Sequence, residues 1–341
     1  MIVRTDRIGD VVLTTPALKA LRVAYPEAKI SILLAPVTRD IIDGNACVDQ
    51  ILVDDRAGEH RGLLGFMKLI HQVRKNKFDC ALILHTKKRT NLLCFLAGIP
   101  ERIGYKNEKL GCLLNRPLDD TRHKGERHEA QYCLDVLKAL SIDCDDLELY
   151  LPVKEDALLW VERMKQKHLI NNEDRLVAIH AGSSDPSRRW PEYRFAQLIK
   201  ELIQRYHARI VMIGSPDVCV VTQKIISSVN EELIDLTGQT SVSQLAALLT
   251  CCDLLISNDS GPVHMASAVG TPVVSIFTRN QPGINPQRWG PLGPRSRVVS
   301  VQPSQSNGKS FKKARPFDTQ YMELIDTDEV LEAVDALFKL C

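Results

Sequence analysis

The chain has no excess of charge of one sign: 44 Lys and Arg stand against 42 Asp and Glu, for a formal net charge of +2. A protein that meets nucleic acid through its overall field carries a strong basic balance, so composition gives that class no support. No apolar run is long enough to span a bilayer, and the first residues pass directly into a strand pattern, without the layout of a secretory signal. Ten cysteines are present, but none forms a C-x-x-C pair and none has a histidine at ligand spacing. That argues against a structural zinc site. Several lie in apolar context, such as Cys80 in FDCALIL and Cys94 in LLCFLAG, as reduced cysteines used in a core do. Low-complexity segments are absent too.

What is present is enough for two cores. A chain of 341 residues, 44% hydrophobic and 25% charged, has the size and composition of a two-domain globular protein. In the first half, strand patterns at 2–4, 29–34, 50–53 and 80–84 alternate with helical spacing. A helix is expected over 11–24, with Pro16 marking a kink or a late first turn. Another is expected over 63–75, with apolar residues at 63, 64, 66, 67, 69, 70 and 73. A basic stretch follows, from Lys87, Lys88 and Arg89 through Lys106, Lys109, Arg116, Arg122, Lys124 and Arg127. It reads either as a solvated face or as an anion-attracting surface. Beyond a helix at 129–141, the domain boundary is placed between Val153 and Arg175, giving domains 1–155 and 174–325. The second half repeats the rhythm, with strands near 176–180, 209–213, 233–236, 254–257 and 273–276 and helices between them. Such alternation predicts a parallel sheet covered by helices on both faces. After 298–301 the chain turns polar (302–317) and ends in an amphipathic helix over 328–339, within a final segment 326–341.

Chemistry concentrates in three strand-to-helix loops, which in a parallel sheet lie at the carboxyl edge where ligands bind. The stretch 254–277, LLISNDSGPVHMASAVGTPVVSIF, organises the second half. Its turn Asn258-Asp259-Ser260-Gly261 opens a helix, so backbone N–H groups, Ser260 and His264 could receive an anion. The same residues would equally serve as an ordinary N-cap, through Asp259 or Ser260. A second loop, HAGSSDPSRRWP over 180–191, adds Ser183, Ser184 and two arginines suited to a diphosphate. Asp217, in GSPDV after a strand, could take ribose hydroxyls or cap a helix. The third loop carries Gly9-Asp10, where a carboxylate could act as general base for a hydroxyl or merely cap the next helix. Together these predict group transfer from a diphosphate-activated donor, with Asp10 as base.

The segments RIGDVVLTTPALKALRVAYPEAKI, HAGSSDPSRRWPEYRFAQLI and NDSGPVHMASAVGTPVVSIF resemble the three signature regions of glycosyltransferase family 9, the ADP-heptose:lipopolysaccharide heptosyltransferases. KFDCALILHTKKRTNLL, GIPERIGY and RWGPLG also fit, and the resemblance runs in order from Ile2 to about Leu292. It implies an α/β GT-B fold: two Rossmann-like domains facing each other across a cleft, with acceptor on the first and nucleotide sugar on the second. It implies an inverting transferase that needs no bound metal or cofactor, ADP-heptose being its donor substrate. The implied partner is a lipid-anchored glycan acceptor (Kdo or heptose of the lipopolysaccharide inner core) at the inner membrane surface, reached by a cytoplasmic, membrane-peripheral enzyme. Asp10 falls on the family's catalytic carboxylate, and Arg188 on its basic residue two before the Trp. Ser183, Ser184, Asp259, Ser260, Gly261 and His264 would surround the phosphates, while Arg189 would be a surface residue and Trp190 a packing residue. By analogy with GT-B enzymes, the last helix would return to the first domain. Another nucleotide sugar, another surface-glycan or protein acceptor, or a non-catalytic nucleotide-sugar-binding protein are the competing readings.

Overall fold

A computed structural model describes residues 1–277, 282–301 and 319–339; the polar segment 302–317 falls outside the described residues. The chain divides into two compact units, Met1–Pro152 and Val153–Cys341. The helix Glu155–Lys167 therefore belongs to the second unit, where it packs on the helix Val242–Thr250.

The first unit holds strands β1 (Ile2–Arg4), β2 (Ser31–Leu34), β3 (Gln50–Val53), β4 (Cys80–Ile83), β5 (Glu101–Tyr105) and β6 (Arg116–Leu118). All pair in parallel, in the order β3-β2-β1-β4-β5-β6. The second unit holds β7 (Leu176–His180), β8 (Arg209–Met212), β9 (Ile234–Asp235), β10 (Leu254–Asn258), β11 (Val273–Phe277) and β12 (Ser296–Ser300). They too are all parallel, in the order β12-β11-β10-β7-β8-β9. Counted within its own unit, each sheet runs third, second, first, fourth, fifth, sixth. That is the doubly wound order, whose ligand crevice lies between the first and fourth strands. Here those pairs are β1/β4, with Val3 opposite Ile83, and β7/β10, with Ile179 opposite Ile256.

Continuous apolar runs form the central strands because helices cover both faces: every residue of β7, β10 and β11 is buried. The short β6 contains Pro117 and was not foreseen. A proline lacks a ladder N–H and is tolerated only at an edge, which is where β6 lies. The expected helix over 11–24 is two helices, Ile8–Val12 and Thr15–Ala24. Leu13 and Thr14 close the first by bonding back to Gly9 and Val11, and Pro16 enters the first turn of the second. The closing helix Thr327–Phe338 buries Val330, Leu331, Val334 and Leu337 in the second unit's core, against β11, β12 and the helix Glu192–Tyr206. Its apolar face is thus used within the second unit.

The basic stretch also resolves into specific contacts. Arg89 grips the buried Asp54 carboxylate with two nitrogens at 2.8 and 2.9 Å and lies over the Phe66 ring. Arg122 does the same to Asp120 at 2.7 and 2.8 Å while covering Tyr105. Arg116 and Arg127 pair with Glu101 and Asp135. Much of the apparent surface charge is intramolecular pinning. All nine described cysteines are free thiols.

Candidate functional site

At the β1/β4 switch point of the first unit, Arg4 ends β1 and is almost wholly buried. Its NH2 donates to Asp10 Oδ1 at 2.7 Å and Glu129 Oε1 at 3.0 Å, its Nε lies 3.0 Å from Asp6 Oδ1, and its NH1 reaches the Leu84 carbonyl at 3.2 Å. One guanidinium thus holds three carboxylates. Asp10 is the third residue of the helix Ile8–Val12, and the backbone N–H of Arg7, at the N-cap, also donates to it. It therefore does supply the reach-back half of a capping box, as well as presenting a carboxylate at the sheet edge. Burial raises Asp10's pKa above the ordinary carboxylate range; Arg4 pulls it down, Asp6 pushes it up, and the net is upward. Burial works against the charge on Arg4 too, but Asp6, Asp10 and Glu129 help to outweigh it, so Arg4 stays protonated.

Around this cluster, Lys87 Nζ donates to the Thr5 carbonyl at 3.0 Å and Arg56 NH2 to the Thr5 hydroxyl at 3.0 Å. His85 lies with Nε2 3.3 Å from the same hydroxyl and Nδ1 3.2 Å from the Val3 carbonyl. The carbonyl can only accept, which places the ring proton on Nδ1. Burial, with Arg4 and Lys87 nearby, holds its pKa well below the usual value, so the imidazole is neutral.

At the β7/β10 switch point of the second unit the groups are of another kind. Asn258, the last residue of β10, is fully buried; its Nδ2 donates to the Ala181 carbonyl at 2.7 Å and its Oδ1 accepts from Trp190 N at 3.0 Å. That amide pins both ends of the 181–190 loop to β10. Gly182 is required there, since a Cβ would lie 2.6 Å from Val218 Cγ1 and 3.0 Å from His180 Nε2. His180 Nδ1 lies 3.2 Å from Ser257 Oγ and 3.1 Å from Ser260 Oγ, and the two hydroxyls are 2.9 Å apart. Burial drives the His180 pKa down to about 4, Asp217 opposing and Arg189 adding. The corner is built around a neutral imidazole.

Ser183, Arg188, Asp259, Ser260, Gly261 and His264 gather at this carboxyl edge. Arg188 NH1 stands 3.4 Å from Asp259 Oδ2, and its Nε 3.8 Å from Asp185 Oδ2. Ser183 Oγ is buried and makes no hydrogen bond in the described structure, whereas Ser184 is exposed. Ser260 occupies the N-cap position of the helix Gly261–Val269, yet its side chain does not cap; the hydroxyl turns inward to His180 and Ser257. The helix offers fewer backbone donors than its sequence promised, because Pro262 has no N–H and Val263 N–H already bonds the Ser260 carbonyl at 3.2 Å. His264 is buried at 4% exposure, not solvated. Asp217 follows β8, one strand outward, and accepts from Ser215 Oγ instead of capping a helix. Arg189 donates twice to the Ser183 carbonyl, at 2.9 and 3.1 Å, so it braces the loop. Trp190 packs edge-on against Phe195, with ring centres 5.0 Å apart, and its indole N–H bonds the Ile325 carbonyl.

The sequence reading missed Arg4, Glu129 and Ser257 as members of these corners, and it placed His180 and Asn258 in the right loops without giving either a role. Arg4, His180 and Asn258 are terminal residues of central strands, with Ser257 next to last on β10, and a polar residue at the end of an otherwise buried strand was the available signal. Glu129 is distant in sequence and gave none. Among the described residues, no group of three or more His, Cys, Asp or Glu is arranged to hold a metal ion. No helix among them is long and apolar enough to cross a membrane.

Residues 66–320 match the family described as glycosyltransferase family 9 (heptosyltransferase). Lipopolysaccharide heptosyltransferase 2 of Escherichia coli K12 is 26% identical over 99% of this chain and 97% of its own length. Among solved structures, a family 9 glycosyl transferase from Veillonella parvula superposes with a TM-score of 0.88 at 23% identity, covering 100% of this chain and 97% of that one. The E. coli ADP-heptose lps heptosyltransferase II gives 0.78 at 22% identity, covering 98% and 97%. Both likenesses are of fold: two six-stranded parallel sheets matching GT-B heptosyltransferase structures.

Proposed function

The chain belongs to glycosyltransferase family 9, and from that premise we propose that it moves a heptose from ADP-heptose onto the inner core of lipopolysaccharide, with inversion. Asp10 is the general base. It takes the proton from an acceptor hydroxyl, on Kdo or a core heptose, as that oxygen attacks the anomeric carbon; the bond to the diphosphate breaks and ADP departs with the electron pair. The observation that carries this assignment is the buried, pKa-raised carboxylate at the first sheet's switch point, held on one oxygen by Arg4. A base must be ionised and yet hold a proton well, and the balance of burial against Arg4 supplies both.

The second unit's corner suits the leaving diphosphate. Arg188 NH1 stands 3.4 Å from Asp259 and its Nε 3.8 Å from Asp185, and a diphosphate that offers shorter, charge-assisted bonds can compete with those two contacts. The orphaned Ser183 hydroxyl is a buried donor in want of an acceptor. Ser184, Ser260, Gly261 and His264 complete the phosphate side, and Asp217 takes the ribose hydroxyls in this reading. The acceptor is lipid-carried, which puts the enzyme at the cytoplasmic surface of the inner membrane.

Thermal stabilisation by ADP, UDP, GDP and ADP-heptose tests the donor. Selective stabilisation by ADP and ADP-heptose is expected, weakened in Arg188→Ala by about 10- to 100-fold in apparent affinity, the worth of a charged hydrogen bond. Selectivity for UDP or GDP would reject the donor while leaving the fold in place. Silence towards all four would point to a chain that no longer turns over nucleotide sugars.

A further inference from the structure

The helix Gly62–Lys75 carries more apolar residues than its core uses. Phe66, Leu69, Ile70 and Val73 are buried against the first sheet, but Leu63, Leu64 and Met67 are 75%, 87% and 52% exposed. Met67 lies four residues after Leu63 and three after Leu64, so it neighbours both, and the three form one apolar tip on the first turns. Further along the outward face come Lys68, His71, Arg74 and Lys75, all exposed. From Arg61 to Lys77 the sequence has five Lys or Arg and no Asp or Glu. The acids that flank this stretch are Glu59, which pairs with Lys68 at 2.6 Å, and Asp79; Arg74 donates to the Leu96 carbonyl. Other exposed leucines lack this setting: Leu158 and Leu159 share their helix with Glu155, Asp156 and Glu162.

We propose that this face docks on an anionic lipid bilayer, with Leu63, Leu64 and Met67 entering the headgroup boundary while the basic residues behind them meet lipid phosphates. An exposed apolar tip with cations along the same helix and no acid on it is the pattern of an interfacial helix. A second copy of the chain fits poorly. Three side chains fall well short of the ~800 Å² per partner of a stable interface, and a self-complementary contact would set the basic stripe against its own copy. Placement agrees with use. The helix follows β3, so its first turn lies at the carboxyl edge of the first sheet, the edge that also carries Asp10. A surface touching the tip would present a lipid-carried hydroxyl along that edge. The inference rests on the lipid-carried-acceptor reading for its purpose only, since binding is measured without donor or acceptor and the two can fail separately.

The test is flotation of the full-length protein with vesicles of phosphatidylethanolamine and phosphatidylglycerol, and with vesicles of phosphatidylcholine alone. Wild type is expected to float with the first and not the second, and added salt should weaken binding. Leu63→Ser/Leu64→Ser/Met67→Ser should cut the bound fraction by about tenfold or more, with unchanged thermal stability and unchanged stabilisation by ADP. Lys68→Glu/Lys75→Glu should flatten the salt dependence. Undiminished binding by the triple variant, no binding by wild type, or a wild-type dimer that the triple variant dissolves would each overturn the proposal.

Discussion

The two sheets share one strand order and place one crevice each between their first and fourth strands, yet the two crevices are filled with opposite chemistry. In the first, a single guanidinium is surrounded by Asp6, Asp10 and Glu129, three carboxylates to one cation. In the second, a neutral imidazole, two hydroxyls and an amide form the buried corner, and Arg188 stands nearer the rim between two carboxylates. A switch point therefore supplies a place and not a reaction. What differs is the polar residue that ends each central strand: Arg4 on β1, His180 on β7 and Asn258 on β10. Burial, with Asp6 adding to it, keeps the Asp10 carboxylate basic in the first, whereas burial keeps the His180 imidazole of the second neutral.

Asp10→Asn breaks the comparison where it is strongest. If Asp10 is the base, turnover should fall by up to about 10,000-fold, the upper range for general base catalysis. The melting temperature should not fall with it, because the amide relieves repulsion from Asp6 while Arg4 keeps two partners. A merely capping Asp10 would give the reverse, with near-normal rates and a loss of about 1 kcal/mol. Rate and melting temperature on the same preparation decide between them.

Arg4 is the positioning residue of that corner. Arg4→Met would leave three carboxylates together without their cation and should destabilise the protein by about 3–5 kcal/mol, as breaking buried ion pairs does. Arg4→Lys is the sharper test. It keeps the charge but not the fork that reaches Asp10 and Glu129 together, so less of Arg4's downward pull on Asp10 remains. The acid limb of the kcat/KM profile should then move to higher pH, which lost packing alone would not cause. An unmoved limb would leave Arg4 a structural residue only.

Much of this was legible in the sequence, for a physical reason. Parallel strands buried on both faces must be written as apolar runs, so β7, β10 and β11 announce themselves, and Gly-containing loops after them mark the carboxyl edge. Arg188 was told from Arg189 only by the family resemblance, whereas Asp10 and Ser260 could be placed from those loops. The edge strand β6 could not, because Pro117 violates the pattern that a central strand obeys. Nor could Glu129, which joins the first corner across 125 residues by a bond to Arg4. Ser260 was legible as a site residue but not in its role, since a serine before a helix usually caps it and here the buried His180 claims the hydroxyl instead.

The smallest effect expected is also the one that separates the corners most cleanly. His180 has a folded-state pKa of about 4, below its usual 6.5. The unfolded chain therefore takes up a proton between those values that the folded chain refuses, so the stability tied to this histidine is full above pH 6.5 and lost as the pH falls towards 4. Asp10 has the opposite sign. Its folded pKa lies above its unfolded value, so its contribution is present below the unfolded pKa and lost as the pH rises through the folded one. Denaturant unfolding of wild type, His180→Asn and Asp10→Asn across pH 4 to 8 should then show the two variants departing from wild type at opposite ends of the range. His180→Asn should flatten the acid side of the profile by up to about 3 kcal/mol, and Asp10→Asn should lift the neutral side. A departure at the same, neutral end would mean that the two crevices are not electrostatic opposites, and that His180 is held by its serines in a charged form which burial alone would not permit.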